Sequence, residues 1–280
     1  MKNYKIQLVV CALFCIVLQG FSQINIGDRM LGAAASGLKA LTFSNEEAAA
    51  LSLQAVAKMD KDNPVAGPTD AYTIRLNKIF KTHASENGLK LNYKVYKLKD
   101  VNAFATADGS VRMFSGLMDI MDDNELLAVI GHEIGHVANE DSKDAIRAAL
   151  GKQAMIDGVA SQSEKIAALT DSQIGQIGKA MWDSTHSRKQ ETDADVYSYD
   201  FMKQHGYNVN AVASAFNILA KMSSGTESNA IFKMMSSHPD PASRAQLAID
   251  RAVADGLYKP YIRTAKTSKT KTPAKKSVKR

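Results

Sequence analysis

The chain has 280 residues, 45% of them hydrophobic and 23% charged, with two cysteines. That composition is globular and long enough for one domain with a proper core. It excludes a disulfide framework or a cysteine-ligated metal beyond the N-terminus, because Cys11 and Cys15 are the two cysteines. Two lysines near the start and nine basic residues in the last 22, with no acid in either segment, leave −5 of the net +6 charge on residues 23–258.

Lys2 and Lys5 precede an apolar run over residues 6–18, and Gly20 and Ser22 place small residues at −3 and −1 of a cut after Ser22. This is the layout of a secretory signal peptide, and the run is short for a membrane span. The bulky Phe14 before Cys15 argues against a lipid-modified cysteine. The expectation is an exported protein, periplasmic or envelope-associated and soluble once residues 1–22 are removed. Residues 27–40 are rich in small residues and helical in pattern.

Ser44-Asn-Glu-Glu47 is a capping box that should open a helix running through Lys58. Pro64 and Pro68 mark a loop. Residues 70–84 read as a second helix with Ile74, Leu76, Ile79 and Phe80 toward the core. Residues 89–98 alternate apolar and polar side chains, as a half-buried strand does. Two more strands, 101–105 and 110–114, flank the Asp108-Gly109 turn. A small, mostly antiparallel sheet is therefore expected. A short helix over 115–121 follows, and Asp122 or Asp123 caps the next one.

That next helix carries His132-Glu133-Ile-Gly-His136. Residues four apart share a helix face, so the two imidazoles can meet one metal ion. Glu133 stands one residue on, within reach of a metal-bound water, as a general base must. The chemistry implied is zinc-assisted peptide hydrolysis, in which the ion lowers the pKa of its water and polarises the scissile carbonyl. One Zn2+ per chain is expected. Read blandly, the motif is a polar pair on a buried helix, which would be costly without a partner.

A hydrolytic zinc usually takes three protein ligands. A third histidine six residues after His136 is ruled out, because that position is Ser142 and Asn139 stands where a glycine would be needed. Later carboxylates, Glu164 and Glu191, are the candidates. Glu191 is preferred, since Asp195 lies one helical turn on and could fix the tautomer of a ligand histidine. The competing reading is a solvated acidic face. Residues 144–182 are Ala-rich and helical, with Gly151 and Gly158 as breaks, and read as core rather than lid. Residues 196–204 form a helix ended by Gly206, and 208–222 another; a polar linker covers 223–229. His238 falls in a loop before Pro239 and Pro241.

His-Glu-Ile-Gly-His, then Glu191-Thr-Asp-Ala-Asp195, then Ser237-His-Pro-Asp-Pro-Ala-Ser-Arg244 resembles the zinc metallopeptidases of family forty-eight, which include the CAAX prenyl proteases, HtpX and BepA-type enzymes. Asn102-Ala-Phe-Ala105 looks like the family's edge strand, and the lead-in from Gly116 to Leu126 matches as well. The resemblance covers roughly residues 44–250. It implies Glu191 as third zinc ligand and Asp195 as its partner behind a ligand histidine. It implies His238 and Arg244 as donors to the substrate oxyanion, a role suited to both. In BepA-like members the corresponding histidine can instead sit on zinc and hold the enzyme latent. Asn102, Ala103, Phe104 and Ala105 would bind an extended peptide by strand addition. Unlike the multi-span branches, residues 23–280 show no membrane spans, and no 34-residue repeat follows residue 250.

The fold expected is α+β and mostly α-helical: a zincin-type metallopeptidase domain over 23–258, of the glutamate-ligated class, with a small sheet beside the His-Glu-x-x-His helix. The function expected is zinc-dependent endopeptidase action on extended or misfolded envelope proteins. The alternative is a latent or non-proteolytic zinc protein that binds unfolded chains. Partners are protein or peptide substrates and no nucleic acid. Residues 259–280 read as a disordered basic tail capable of weak contact with anionic envelope surfaces.

Overall fold

The structure, a computed structural model, describes residues 43–157, 169–224 and 228–264. The signal peptide (1–22), the helix over 27–40, Glu164, residues 265–280, and the side chains of Met155, Ile156 and Val159 lie outside what is described. The order is α1 (Asn45–Asp62), α2 (Ala71–Phe80), β1 (Ser85–Glu86), β2 (Leu89–Lys90), β3 (Asn92–Tyr96), β4 (Ala103–Ala105), β5 (Ser110–Phe114), α3 (Ser115–Ile120), α4 (Asp123–Ala138), α5 (Asp141–Asp157), α6 (Asp171–Trp182), α7 (Arg188–Gln204), α8 (Asn210–Ser223), α9 (Ser228–Ser237) and α10 (Pro241–Ala254). The fold is α+β and mostly helical.

Helix α4 is the axis of the molecule. Asp122 caps it and forms a reciprocal capping box with Glu125. Every residue from Glu125 to His136 is buried. Leu126, Leu127, Val129, Ile130 and Ile134 each contribute about 1.5–3 kcal/mol on burial, enough to hold three buried ionisable groups on the same helix. Helices α7 and α8 and strand β4 pack around it.

The α4–α7 contact is made close by glycine. A Cβ on Gly131 would stand 3.0 Å from the Phe201 ring, and one on Gly135 would stand 3.0 Å from Ala194 Cα and Tyr197 Cβ. Ser198 Oγ donates to the carbonyl of Ala128 at 2.7 Å across the same interface. The two glycines interleaved with the histidines therefore let the backbone of α7 approach the metal-binding motif.

Three expectations need correction. Ile74 is 58% exposed, whereas Leu76, Ile79 and Phe80 are buried. Residues two apart on a helix lie about 200° apart, so Ile74 and Leu76 cannot both face the core.

The three-stranded sheet is mixed rather than mostly antiparallel: β5 pairs antiparallel with β4 but parallel with β3. Lys94 and Arg112 are partners in the parallel register, and both donate to Asp60 at the end of α1. That acid holds side by side two cations that would otherwise repel. The alternation read over 89–98 spans two elements, β2 and β3.

The third correction concerns the tail. Residues 259–264 are fixed on the N-terminus of α4. Tyr261 Oη donates to Asp122 at 2.9 Å, the Thr264 amide donates to Asp122 at 2.9 Å, and Arg263 donates to Glu125 at 2.9–3.2 Å. Composition alone does not register this pairing of specific groups.

Candidate metal centre

His132 and His136 project from successive turns of α4. Asp195 Oδ1 lies 2.9 Å from His132 Nδ1, and Asp141 Oδ2 lies 2.9 Å from His136 Nδ1. Each carboxylate accepts a hydrogen bond from an Nδ1–H, which leaves Nε2 of each ring for a ligand. The two Nε2 atoms are 3.0 Å apart. Glu191 Oε1 lies 3.3 Å from His136 Nε2, and Oε2 lies 3.6 Å from His132 Nε2.

His238 Nδ1 joins them, 3.2 Å from His132 Nε2 and 2.9 Å from Glu191 Oε1. Ligand atoms of His132, His136, Glu191 and His238 all lie within 4.8 Å of one another. All four side chains are buried.

This donor set fits a divalent transition metal. Imidazole nitrogens that face each other at 3.0 Å, with a carboxylate beside them, call for a cation among them. Glu133 Oε1 is buried and finds no hydrogen-bond partner among the described groups; the nearest imidazole nitrogen paired with it, His238 Nε2, is 3.8 Å away. A general base that awaits a water would stand so.

Arg244 supports the cluster. It forks onto Asp195 through Nε (2.8 Å) and Nη2 (2.6 Å), places Nη1 2.5 Å from Glu191, and stacks over Phe216 at 4.2 Å. Its place in this structure is to hold both acidic side chains. His238 follows α9, and Arg244 lies in the first turn of α10, which Asp240 caps from a left-handed conformation. This tight joint brings the two residues to one site.

Charge and burial set the protonation states. Burial, then the charges of Arg244 and His136, push His132 down to about 3. Burial alone would lower His136, but bonds to Asp141 and Glu191 outweigh it and raise it to about 9. Without an ion a proton stays on His136, and a metal would displace it. Burial raises Glu133. Burial works against ionised Glu191 too, yet the histidines around it hold it far below the usual carboxylate range.

Strand β4 lies at the sheet edge, and residues 102–105 line a cavity of about 20 Å³ with Glu133, His136, His186 and His238. That is room for about one water. Two groups of this edge are already bonded: the Ala103 amide to Asn102 Oδ1 at 3.0 Å, and the Ala105 carbonyl to Ser142 Oγ at 3.2 Å. Met181 and Trp182, from the end of α6, also line the cavity, and Trp182 stacks on Phe104 at 5.9 Å. The described end of the 144–182 segment thus lies on the cleft.

Sequence reasoning missed three participants. Asp141 orients His136 and is itself held by Gln190 Nε2 at 2.7 Å. His186 stacks on His136 at 3.8 Å with the rings 16° apart, and burial lowers its pKa to about 2. The signal for Gln190 was present: Ser187 and Gln190 form a capping box, so α7 begins at Arg188 and Glu191 lies inside its first turn. No comparable pattern marks Asp141, which the chain reaches through Glu140 at φ 63°.

A family model described as Peptidase family M48 matches residues 71–252. Metalloprotease LoiP of Escherichia coli strain K12 is 39% identical over 251 residues, covering 89% of this chain and 98% of that protein. Metalloprotease YcaL of the same strain is 38% identical over 260 residues, covering 91% and 100%. Protease HtpX of Xanthomonas euvesicatoria is 38% identical over 79 residues, 26% of each chain.

Proposed function

The chain belongs to peptidase family M48 and is a metalloprotease; from that premise we propose that it is a zinc-dependent endopeptidase of extended or misfolded envelope proteins. The observation that carries the mechanism is the convergence of His132, His136 and Glu191 beside Glu133, whose Oε1 has no hydrogen-bond partner among the described residues. His132, His136 and Glu191 would hold a zinc ion, which when bound would lower the pKa of a water and act as a Lewis acid toward the carbonyl. Glu133, raised by burial, takes a proton from the attacking water and returns it to the leaving amine. Asp195 and Asp141 fix the two imidazoles, and Arg244 holds Asp195 and Glu191 in place.

An extended peptide would add to the free side of β4, exchanging its own backbone groups for the bonds now made by Asn102 and Ser142. Such an edge favours unfolded stretches over folded proteins. Among the described residues no helix is long and apolar enough to cross a membrane; export rests on the N-terminal signal read from the sequence. The test is zinc content and casein digestion of wild type and Glu133→Gln. At least one equivalent in both, with digestion by wild type and a loss of at least about 100-fold in the variant, is expected. Full digestion by Glu133→Gln overturns the mechanism.

One observation favours a second reading of the resting state. His238 Nδ1 completes a four-ligand set, and closed four-ligand sites belong to structural rather than catalytic zinc. With the cleft reduced to about 20 Å³, this supports a latent arrangement. His238→Ala separates the two: faster casein cleavage means a latch, and slower cleavage means a donor to the reacting carbonyl.

A further inference from the structure

A second cluster lies outside the metal centre. His83 follows the end of α2, Glu86 ends β1, and His205 caps the C-terminus of α7. Glu86 stands between the two rings, with Oε1 2.5 Å from His83 Nδ1 and Oε2 3.3 Å from His205 Nε2. The rings meet edge to face, centroids 4.6 Å apart. His83 is 1% exposed, and the Glu86 and His205 side chains are 14% and 30% exposed, so the cluster is anchored inside and open to solvent on one side.

We propose that His83, Glu86 and His205 form a second binding site for a divalent transition-metal ion of the zinc, nickel and copper class, which clips α7 to the β1–β2 hairpin. The donor types are those such ions select, two imidazoles and a carboxylate. One ligand atom from each residue lies within 4.8 Å of the others.

Edges of a tetrahedral zinc site are about 3.3 Å, from bonds of about 2.0–2.1 Å. The separation of His205 Nε2 from Glu86 Oε2 already has that length. His83 Nδ1 contacts the other oxygen, Oε1, at 2.5 Å, so to bind one ion the carboxylate must give up that hydrogen bond and turn to present an oxygen to both rings.

Electrostatics favours a cation there. Among the described residues no lysine or arginine pairs with Glu86. His83 and His205 both stand at helix C-termini, where the helix dipole is negative: the His83 amide donates to the Phe80 carbonyl, and the His205 amide to that of Phe201.

Tyr207 supplies the remaining element. Its hydroxyl is 2.6 Å from His83 Nε2. In the ion-free protein Nδ1–H donates to Glu86, and Nε2 accepts from the hydroxyl. With a metal on Nδ1 the proton moves to Nε2 and the tyrosine oxygen accepts it. A hydroxyl can do either, so the change of tautomer loses no bond at that nitrogen. The hairpin fixes the third donor. Asn87 and Gly88 both have positive φ, 49° and 78°, which makes a tight two-residue turn directly after Glu86.

The test is zinc stoichiometry on untagged protein equilibrated with stepped free Zn2+ up to the micromolar range, for wild type, Glu86→Gln and His205→Ala. Two equivalents in wild type and one in each variant are expected, with casein cleavage unchanged within about twofold. Zinc beyond the first equivalent should raise the melting temperature of wild type and leave both variants unmoved. His205 is partly exposed, so its variant should fold; unchanged melting without zinc verifies this. A single equivalent in wild type, or a second equivalent that survives in both variants, overturns the site.

Discussion

Two clusters of charge in this molecule, one half-buried around Asp60 and one buried around Glu133, are built on opposite terms. Around Asp60, every donor has found its acceptor. Its carboxylate receives Arg112 Nε at 2.8 Å, Arg112 Nη2 at 3.0 Å, Lys94 Nζ at 2.7 Å and Tyr96 Oη at 2.8 Å. Around Glu133, imidazole nitrogens face one another, and a buried carboxylate oxygen has no hydrogen-bond partner among the described residues. The first ties α1 to the sheet; the second leaves a buried carboxylate oxygen without a hydrogen-bond partner among the described residues, as a site awaiting an ion and a water requires. Saturation of hydrogen bonds, rather than burial or charge, separates the structural cluster from the functional one.

The sharpest way to break this comparison is to remove a carboxylate from each cluster. Asp60→Ala leaves Arg112, 2% exposed, as an unpaired buried charge. Breaking such a pair costs about 3–5 kcal/mol, to be read from denaturant melting. Acid should show the same dependence. Burial alone would raise the Asp60 carboxyl, but the Arg112 and Lys94 bonds outweigh it and hold it below its ordinary 3.8. Its contribution is therefore complete above that value and is lost as pH falls through the folded pKa. Wild type should lose stability there, and Asp60→Ala should lose less. Equal acid sensitivity of the two proteins would sink the assignment.

Glu133→Gln should behave in the opposite way. Burial raises Glu133 above its ordinary 4.5, so the folded state keeps the proton longer than the unfolded one. In metal-stripped protein, stability should thus decline as pH rises from about 4.5 through the folded value, and the amide should remove that decline. At neutral pH the variant should be unchanged or gain up to about 2 kcal/mol, while cleavage is lost. A loss of stability comparable to that of Asp60→Ala would erase the distinction between the clusters.

Much of the second cluster was legible in the sequence, and almost none of the first. His132, Glu133 and His136 declare themselves because a helix forces a fixed spacing on any pair that shares an ion. Glu191 and Asp195 repeat the same four-residue spacing on another helix. Asp60, Arg112 and Lys94 come from three separate elements and obey no spacing; only the assembled sheet brings them together. The mixed sheet has the same character, since the pairing of β3 with β5 across the intervening β4 is a long-range contact that no local spacing marks. The β1–β2 hairpin was legible through Asn87-Gly88 yet was not read, and Asp141 left no local mark at all.

Another carboxylate, the buried Glu125, lies between the extremes and gives the smallest effect. It is fully buried and receives the Asp122 amide at 2.8 Å and Ser214 Oγ at 2.6 Å, besides Arg263. Arg263→Ala removes one charged partner from a carboxylate that keeps two others. The arginine side chain is 45% exposed, so water screens the pair and can replace it. The expected loss is about 1 kcal/mol, well short of the Asp60 value, with no change in cleavage. Because Glu125 completes the capping box of the helix that carries His132 and His136, fraying at that end should appear as faster exchange of the first amides of α4 before any effect reaches the metal centre. A loss as large as that of Asp60→Ala would mean that the 259–264 segment, rather than the capping box, secures the start of α4.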